Sequence, residues 1–63
     1  MEKKLKRLEE CISHVAEVTR YPYWFVRTEM ADEANVSDLI EFTEEDVDKM
    51  ISLYETYRSE GLL

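Results

Sequence analysis

The sequence predicts an all-α fold, a small bundle of three main helices. Apolar residues recur three and four positions apart over most of the chain. The chain holds a single Gly and a single Pro, and both lie where a helix is expected to begin or end. Residues that start or stop helices border the periodic stretches. Helices are expected at about 2–19, 22–34 and 44–59, with a short extra turn at about 38–41. The 63 residues are expected to form one domain.

The first helix rests on Leu5, Leu8, Ile12, Val15 and Thr19, a 3-4-3-4 stripe that Cys11 and Val18 widen. Tyr21 precedes Pro22 and prefers extended backbone, so this helix should stop near Arg20. Pro22 suits the first turn of the second helix, where its missing N–H has no role. Trp24, Phe25, Thr28 and Ala31 are expected on its inward face, and Asn35 as its left-handed stop. Ser37 can cap the short turn that opens with Asp38. Thr43-Glu44-Glu45-Asp46 approximates a capping box with Asp in the third place. The last helix follows with Val47, Met50, Ile51, Tyr54 and Tyr57 as its stripe and Gly61 at its end. The first helix is expected to pack Leu5, Leu8, Ile12 and Val15 against Val47, Ile51 and Tyr54, with Trp24 and Phe25 closing one end.

A domain this short buries only about 60% of the surface its unfolded chain exposes. Cys11 is alone, so no disulfide within the chain supplements the core, and a lone Cys fits a reducing compartment. The basic start, Lys3 to Arg7, runs into Glu9 and Glu10 rather than an apolar segment, unlike a signal peptide. No apolar run approaches the ~18 residues of a membrane span. A cytoplasmic location is the expectation.

Charge is divided unevenly. Eleven of the fifteen acids follow Thr28, against two bases, Lys49 and Arg58. Residues 1–28 carry a formal +2 and residues 29–63 a formal −9. Between Glu29 and Asp48 lie nine carboxylates and no base. Such a field repels nucleic acid and anionic membrane and favours a basic partner. It also has a plainer reading, a solvated face that keeps a small protein soluble.

The stretch Met30 to Ser37 resembles the turn of bacterial helix-turn-helix proteins. Ala31 stands at the small packing position, Asn35 at the turn, Val36 at the apolar position and Ser37 at the cap. That resemblance implies a helical corner and, carried further, a nucleic-acid-binding regulator. The reading helix would then begin Asp38, Leu39, Ile40, Glu41, Phe42 and continue Glu44, Glu45, Asp46. Base edges and phosphates call for Arg, Lys, Asn or Gln instead.

Catalytic and cofactor chemistry find no set of residues. Cys11 and His14 share a helix face, but a structural metal needs about four ligands. Asp32 to Asp38 lacks the ligand spacing and central Gly of a calcium loop. The abundant carboxylates sit in a polar run with little to drive their pKa values apart. No enzyme activity, cofactor or metal is expected.

The leading expectation is therefore a small acidic interaction protein that binds a basic surface of a larger protein and inhibits or regulates it. Its contact residues are expected to be Glu29, Asp32, Glu33, Asp38, Glu41, Glu44, Glu45 and Asp48. Tyr23 and Trp24 join them, because Tyr23, Trp24, Phe25 and Val26 point about 100° apart in turn and cannot all face one core. Carboxylates spaced along helices can stand in for phosphates at an Arg/Lys-lined site. The chain is similar in size and charge to small phage inhibitors of host defence or transcription, with no shared motif. That likeness implies a nucleic-acid mimic. Two alternatives are the helix-turn-helix regulator and a self-associating module, a homodimer through the stripe of helix one.

Direct duplex DNA binding is not expected. Non-specific affinity grows with the number of phosphates neutralised, and the six bases of residues 1–28 are interleaved with four acids. A mobility shift near 150 mM salt should show no complex at micromolar protein. A micromolar complex there would restore the regulator reading.

Overall fold

The computed structural model describes residues 1–37 and 41–63. The described residues form three helices: α1 (Glu2–Thr19), α2 (Tyr23–Glu33) and α3 (Glu44–Ser59). No strand occurs among the described residues. The expected turn at 38–41 falls largely outside them, on Asp38, Leu39 and Ile40, while Glu41 lies outside any helix.

Each helix end has a local cause. Arg20 caps α1 in the left-handed region, φ 70°, and donates its N–H to the Ala16 carbonyl at 2.8 Å. Pro22 does not enter α2 but stands just before it, extended at ψ 150°. Its carbonyl accepts from the Phe25 and Val26 N–H groups, both at 3.1 Å. Asn35 takes φ 60° after α2. The N–H groups of Asn35 and Val36 then reach back to the carbonyls of Asp32, at 3.1 Å, and Ala31, at 2.8 Å. That pair closes a Schellman turn, and Val36 folds inward beside Ala31 in the core. Gly61, φ 76°, ends α3 the same way, with Leu62 N–H on the Tyr57 carbonyl at 2.9 Å. At the start of α3 the capping box forms as read. Thr43 Oγ1 accepts from the Asp46 N–H at 3.1 Å, and Asp46 Oδ2 accepts from the Thr43 N–H at 3.0 Å.

The core gathers Leu8, Cys11, Ile12 and Val15 of α1, Val26, Met30 and Ala31 of α2, Val36, and Val47, Met50 and Tyr54 of α3. Val47 and Met50 are 0% exposed, and Cys11 and Ile12 1%. The α1–α3 contact is the most extensive of the three. Lys4 meets Asp48, Arg7 meets Glu55 and His14 meets Tyr54, so the two helices run side by side in the same sense. Tyr54 is buried, and its hydroxyl is satisfied by His14 Nδ1 at 2.6 Å. The radius of gyration, 10.8 Å, is that of a tightly packed chain of this length.

Three readings of the core are corrected. Leu5 and Val18 lie at the edges of the α1 stripe and stay largely exposed. On α2 the inward face is Val26, Met30 and Ala31, not Trp24, Phe25, Thr28 and Ala31. Steps of 100° place Val26, Met30 and Ala34 on one side and Phe25, Thr28 and Asp32 opposite. Trp24 is 68% exposed and Phe25 is half-buried. On α3, Met50 rather than the half-buried Ile51 holds the centre.

Leu8→Ala and Met50→Ala should each lower stability by about 2–5 kcal/mol, the usual range for emptying a closed site. Leu5→Ala should cost under about 1 kcal/mol. Equal urea midpoints for Leu5→Ala and Met50→Ala would contradict this assignment of the core.

Candidate protein-binding surface

The fold divides the acidic run into two groups of different electrostatic character. Glu44 and Asp48 share one base of α1: Lys4 Nζ lies 3.1 Å from Glu44 Oε1 and 3.1 Å from Asp48 Oδ1. The Lys4 pKa is raised, chiefly by its hydrogen bond to Asp48 and then by that to Glu44. Glu45 faces Lys49 one turn on, at 3.8 Å. Arg7 reaches Glu55 at 2.7 Å. The basic start of α1 thus offsets part of the acidity of α3 inside the molecule. Exposed pairs of this kind contribute little to stability, but they cancel local charge.

The α2 acids are placed differently. Glu29, Asp32 and Glu33 are all exposed. Glu33 accepts a hydrogen bond from the Tyr57 hydroxyl at 2.5 Å. Among the described residues Glu29 and Asp32 have no cationic partner within ion-pair distance, nor does the exposed Glu41. Asp38 lies outside the described residues.

Aromatic side chains adjoin these acids. Tyr21, 57% exposed, and Phe25 have ring centroids 5.0 Å apart. Trp24 meets Phe25 edge-on at 5.9 Å. Trp24, Phe25, Thr28, Glu29 and Asp32 then follow one another around the outward side of α2. Tyr23 belongs elsewhere: it lines a separate hollow with Leu5, Glu9 and Phe42. There the Arg27 guanidinium lies 4.4 Å from the centre of the Phe42 ring. The structure therefore sets Trp24, Glu29 and Asp32 on the outward side of one helix, with Glu29 lining a hollow beside Tyr21 and Phe25, and leaves Tyr23, Glu44, Glu45 and Asp48 apart from them.

A groove of about 310 Å³ opens beside this face, between the end of α1, the start of α2 and Tyr57 of α3. Val15, Val26 and Met30 form its apolar floor, Tyr21, Phe25 and Tyr57 its aromatic walls, and Glu29 lies on its rim. A second hollow of about 210 Å³ shares Val15, Thr19 and Tyr57 with it and continues to Leu62 and Leu63. Sequence reasoning found the aromatic cluster but not the groove. Its third wall, Tyr57, lies over thirty residues away, and no local pattern announces that pairing.

The described residues assemble no metal-binding group, and the single thiol, Cys11, is buried. Burial pushes the Cys11 thiol up, against the smaller opposite pull of Arg7. Such a thiol is a core side chain rather than a nucleophile. Among the described residues no group of three or more His, Cys, Asp or Glu could hold a metal ion. Nor is any described helix long and apolar enough to cross a membrane.

Comparison with family models, with curated proteins and with solved structures gave no match.

The Tyr57–Glu33 contact gives the protein an alkaline signature. Burial, then the bond to Glu33, holds the Tyr57 phenol well above its ordinary value. A pKa raised on folding means stability that is full below about pH 10 and is lost as pH climbs further. Lys4 titrates with the same sign in the same window. Wild type should therefore lose melting temperature above about pH 10, and Tyr57→Phe should lose it less steeply. Parallel curves for the two proteins would mean that Tyr57 does not carry this dependence.

Proposed function

We propose that this protein is a non-enzymatic binding module that docks on a basic surface of a larger protein and inhibits or regulates it. The outward face of α2 is the contact, with Trp24 as its anchor and Glu29 and Asp32 as its charges. One observation carries this reading: two acids without a cation, Glu29 and Asp32, share the outward side of α2 with the most exposed large apolar side chain of the described residues. An exposed Trp costs solvation that a partner can recover, and Trp is among the residues that dominate interface energies. Unpaired carboxylates on the same side of α2 steer a cationic surface into place and disfavour anionic ones. The pattern supports a nucleic-acid mimic as the form of inhibition, since carboxylates on a helix can occupy sites built for phosphate.

Once a partner is captured from cell extract and purified, its affinity for variants tests the face. Glu29→Lys with Asp32→Lys should weaken binding at least about tenfold and slow association, and added salt should reproduce part of the loss. Trp24→Ala should weaken it by a similar factor, mainly through faster dissociation. Glu9→Lys with Glu10→Lys, on the basic-flanked α1, should change it less than about twofold. Trp24 is the single Trp of the chain, so its emission should shift to the blue on binding. Unchanged affinity for the α2 reversal would remove this face from consideration.

A further inference from the structure

The groove between Tyr21, Phe25 and Tyr57 has the chemistry of a cation site. Its walls are three aromatic rings, its floor is aliphatic, and a carboxylate stands at its rim. Resting on the basic-partner reading above, we propose that this groove receives an arginine side chain of the partner. The guanidinium would lie against the aromatic walls, pair with Glu29, and lay its methylene stem over Val15 and Met30.

Three features select this occupant. A purely hydrocarbon side chain would strip water from Glu29 and give it no partner, which is unfavourable. A cation with an apolar stem satisfies both floor and rim. A planar guanidinium stacks on a ring and forks onto a carboxylate, neither of which a compact ammonium does as well. The protein uses the same contact elsewhere: Arg27 lies over Phe42 at 4.4 Å, and Arg7 over Tyr54 at 5.8 Å. Among the described residues no cation stands over Tyr21, Phe25 or Tyr57. The walls are also held in place. Tyr57 is fixed by its bond to Glu33, and the Tyr21 ring rests on Phe25. Two larger hollows, one lined by Ala34, Asp48, Lys49 and Leu53 and one by Glu2, Lys3, Leu5, Lys6 and Glu9, each contain their own base and no aromatic ring.

The test compares an oligoarginine peptide with oligolysine and oligocitrulline peptides of the same length, followed by Trp24 emission and calorimetry on the full chain. Oligoarginine should bind about fivefold more tightly than oligolysine, as one cation–π contact at a solvent-open site gives, and oligocitrulline should not bind. Tyr21→Ala and Glu29→Gln should each bring the arginine-to-lysine ratio near one. Both side chains are exposed, so neither change threatens the fold. Asp32→Lys, outside the groove, should weaken both cationic peptides alike and leave the ratio intact. Equal affinity of wild type for arginine and lysine, or a preference that survives both groove variants, overturns the arginine site and leaves the basic-partner reading standing. Binding of oligocitrulline as tight as oligoarginine also overturns it. Failure of both cationic peptides to bind removes the two proposals together.

Discussion

The seam between α1 and α3 is the contact on which the rest of the structure depends. Leu8, Cys11, Ile12 and Val15 close against Val47, Met50 and Tyr54, and the most completely buried side chains lie among them. A fully buried aliphatic side chain contributes about 1.5–3 kcal/mol, while a whole domain is stable by only about 5–15 kcal/mol. A few such residues therefore decide whether this protein folds. Because the two helices run in the same sense, the basic first turns of α1 fall beside the acids of α3. The seam also commits the α1 stripe within one chain, so a two-chain seam would have to displace α3. With α1 and α3 paired, α2 bridges them. Tyr23 and Arg27 line a hollow with Leu5, Leu8 and Ile12, and Glu33 meets Tyr57.

That arrangement decides which part of a strongly acidic chain keeps its charge. By sequence, Glu44 and Asp48 belong to the same run as Glu29 and Asp32. In space, the first two converge on Lys4, while the second two face solvent alone. A net charge of −7 is consequently not spread as an even band. Attraction to a basic surface acts over about 8 Å at physiological ionic strength, so local clusters matter more than the total.

Helix ends were legible because their chemistry is local. Tyr21-Pro22, Asn35, the Thr43–Asp46 capping box and Gly61 each specify a turn within a few residues, and each lies at the border the sequence indicates. The α1 and α3 stripes were legible for a similar reason, since several turns of one helix repeat the same signal. The phase of α2 was not. It is an eleven-residue helix with apolar side chains on nearly every side, so its periodicity is weak. Bulk then misleads: Trp24 and Phe25 outweigh Val26, Met30 and Ala31 in any ranking by hydrophobicity. The buried set is instead the one that shares a helix face with Met30 and Val26. The groove and the Lys4 clamp were illegible for a stricter reason. Each joins residues some thirty to forty positions apart, and no spacing rule within a helix reaches that far.

The misplaced phase bears on function. A domain of 63 residues has little apolar surface to spare for its own core. Burying the single Trp would be the largest gain available to it, since an aromatic ring of that size covers about 150–250 Å². Instead the core is completed with Val, Met and Ala, and Trp24 is left in water beside Tyr21 and Phe25. Folding stability alone gives no reason for that placement. The proposed recognition would, because an exposed ring on the same helix face as unpaired carboxylates is favourable against a cationic, partly apolar surface. In the proposed contact the acids and the aromatics of α2 would be complementary halves: the charges would bring a basic partner close, and the rings would hold it once water is displaced.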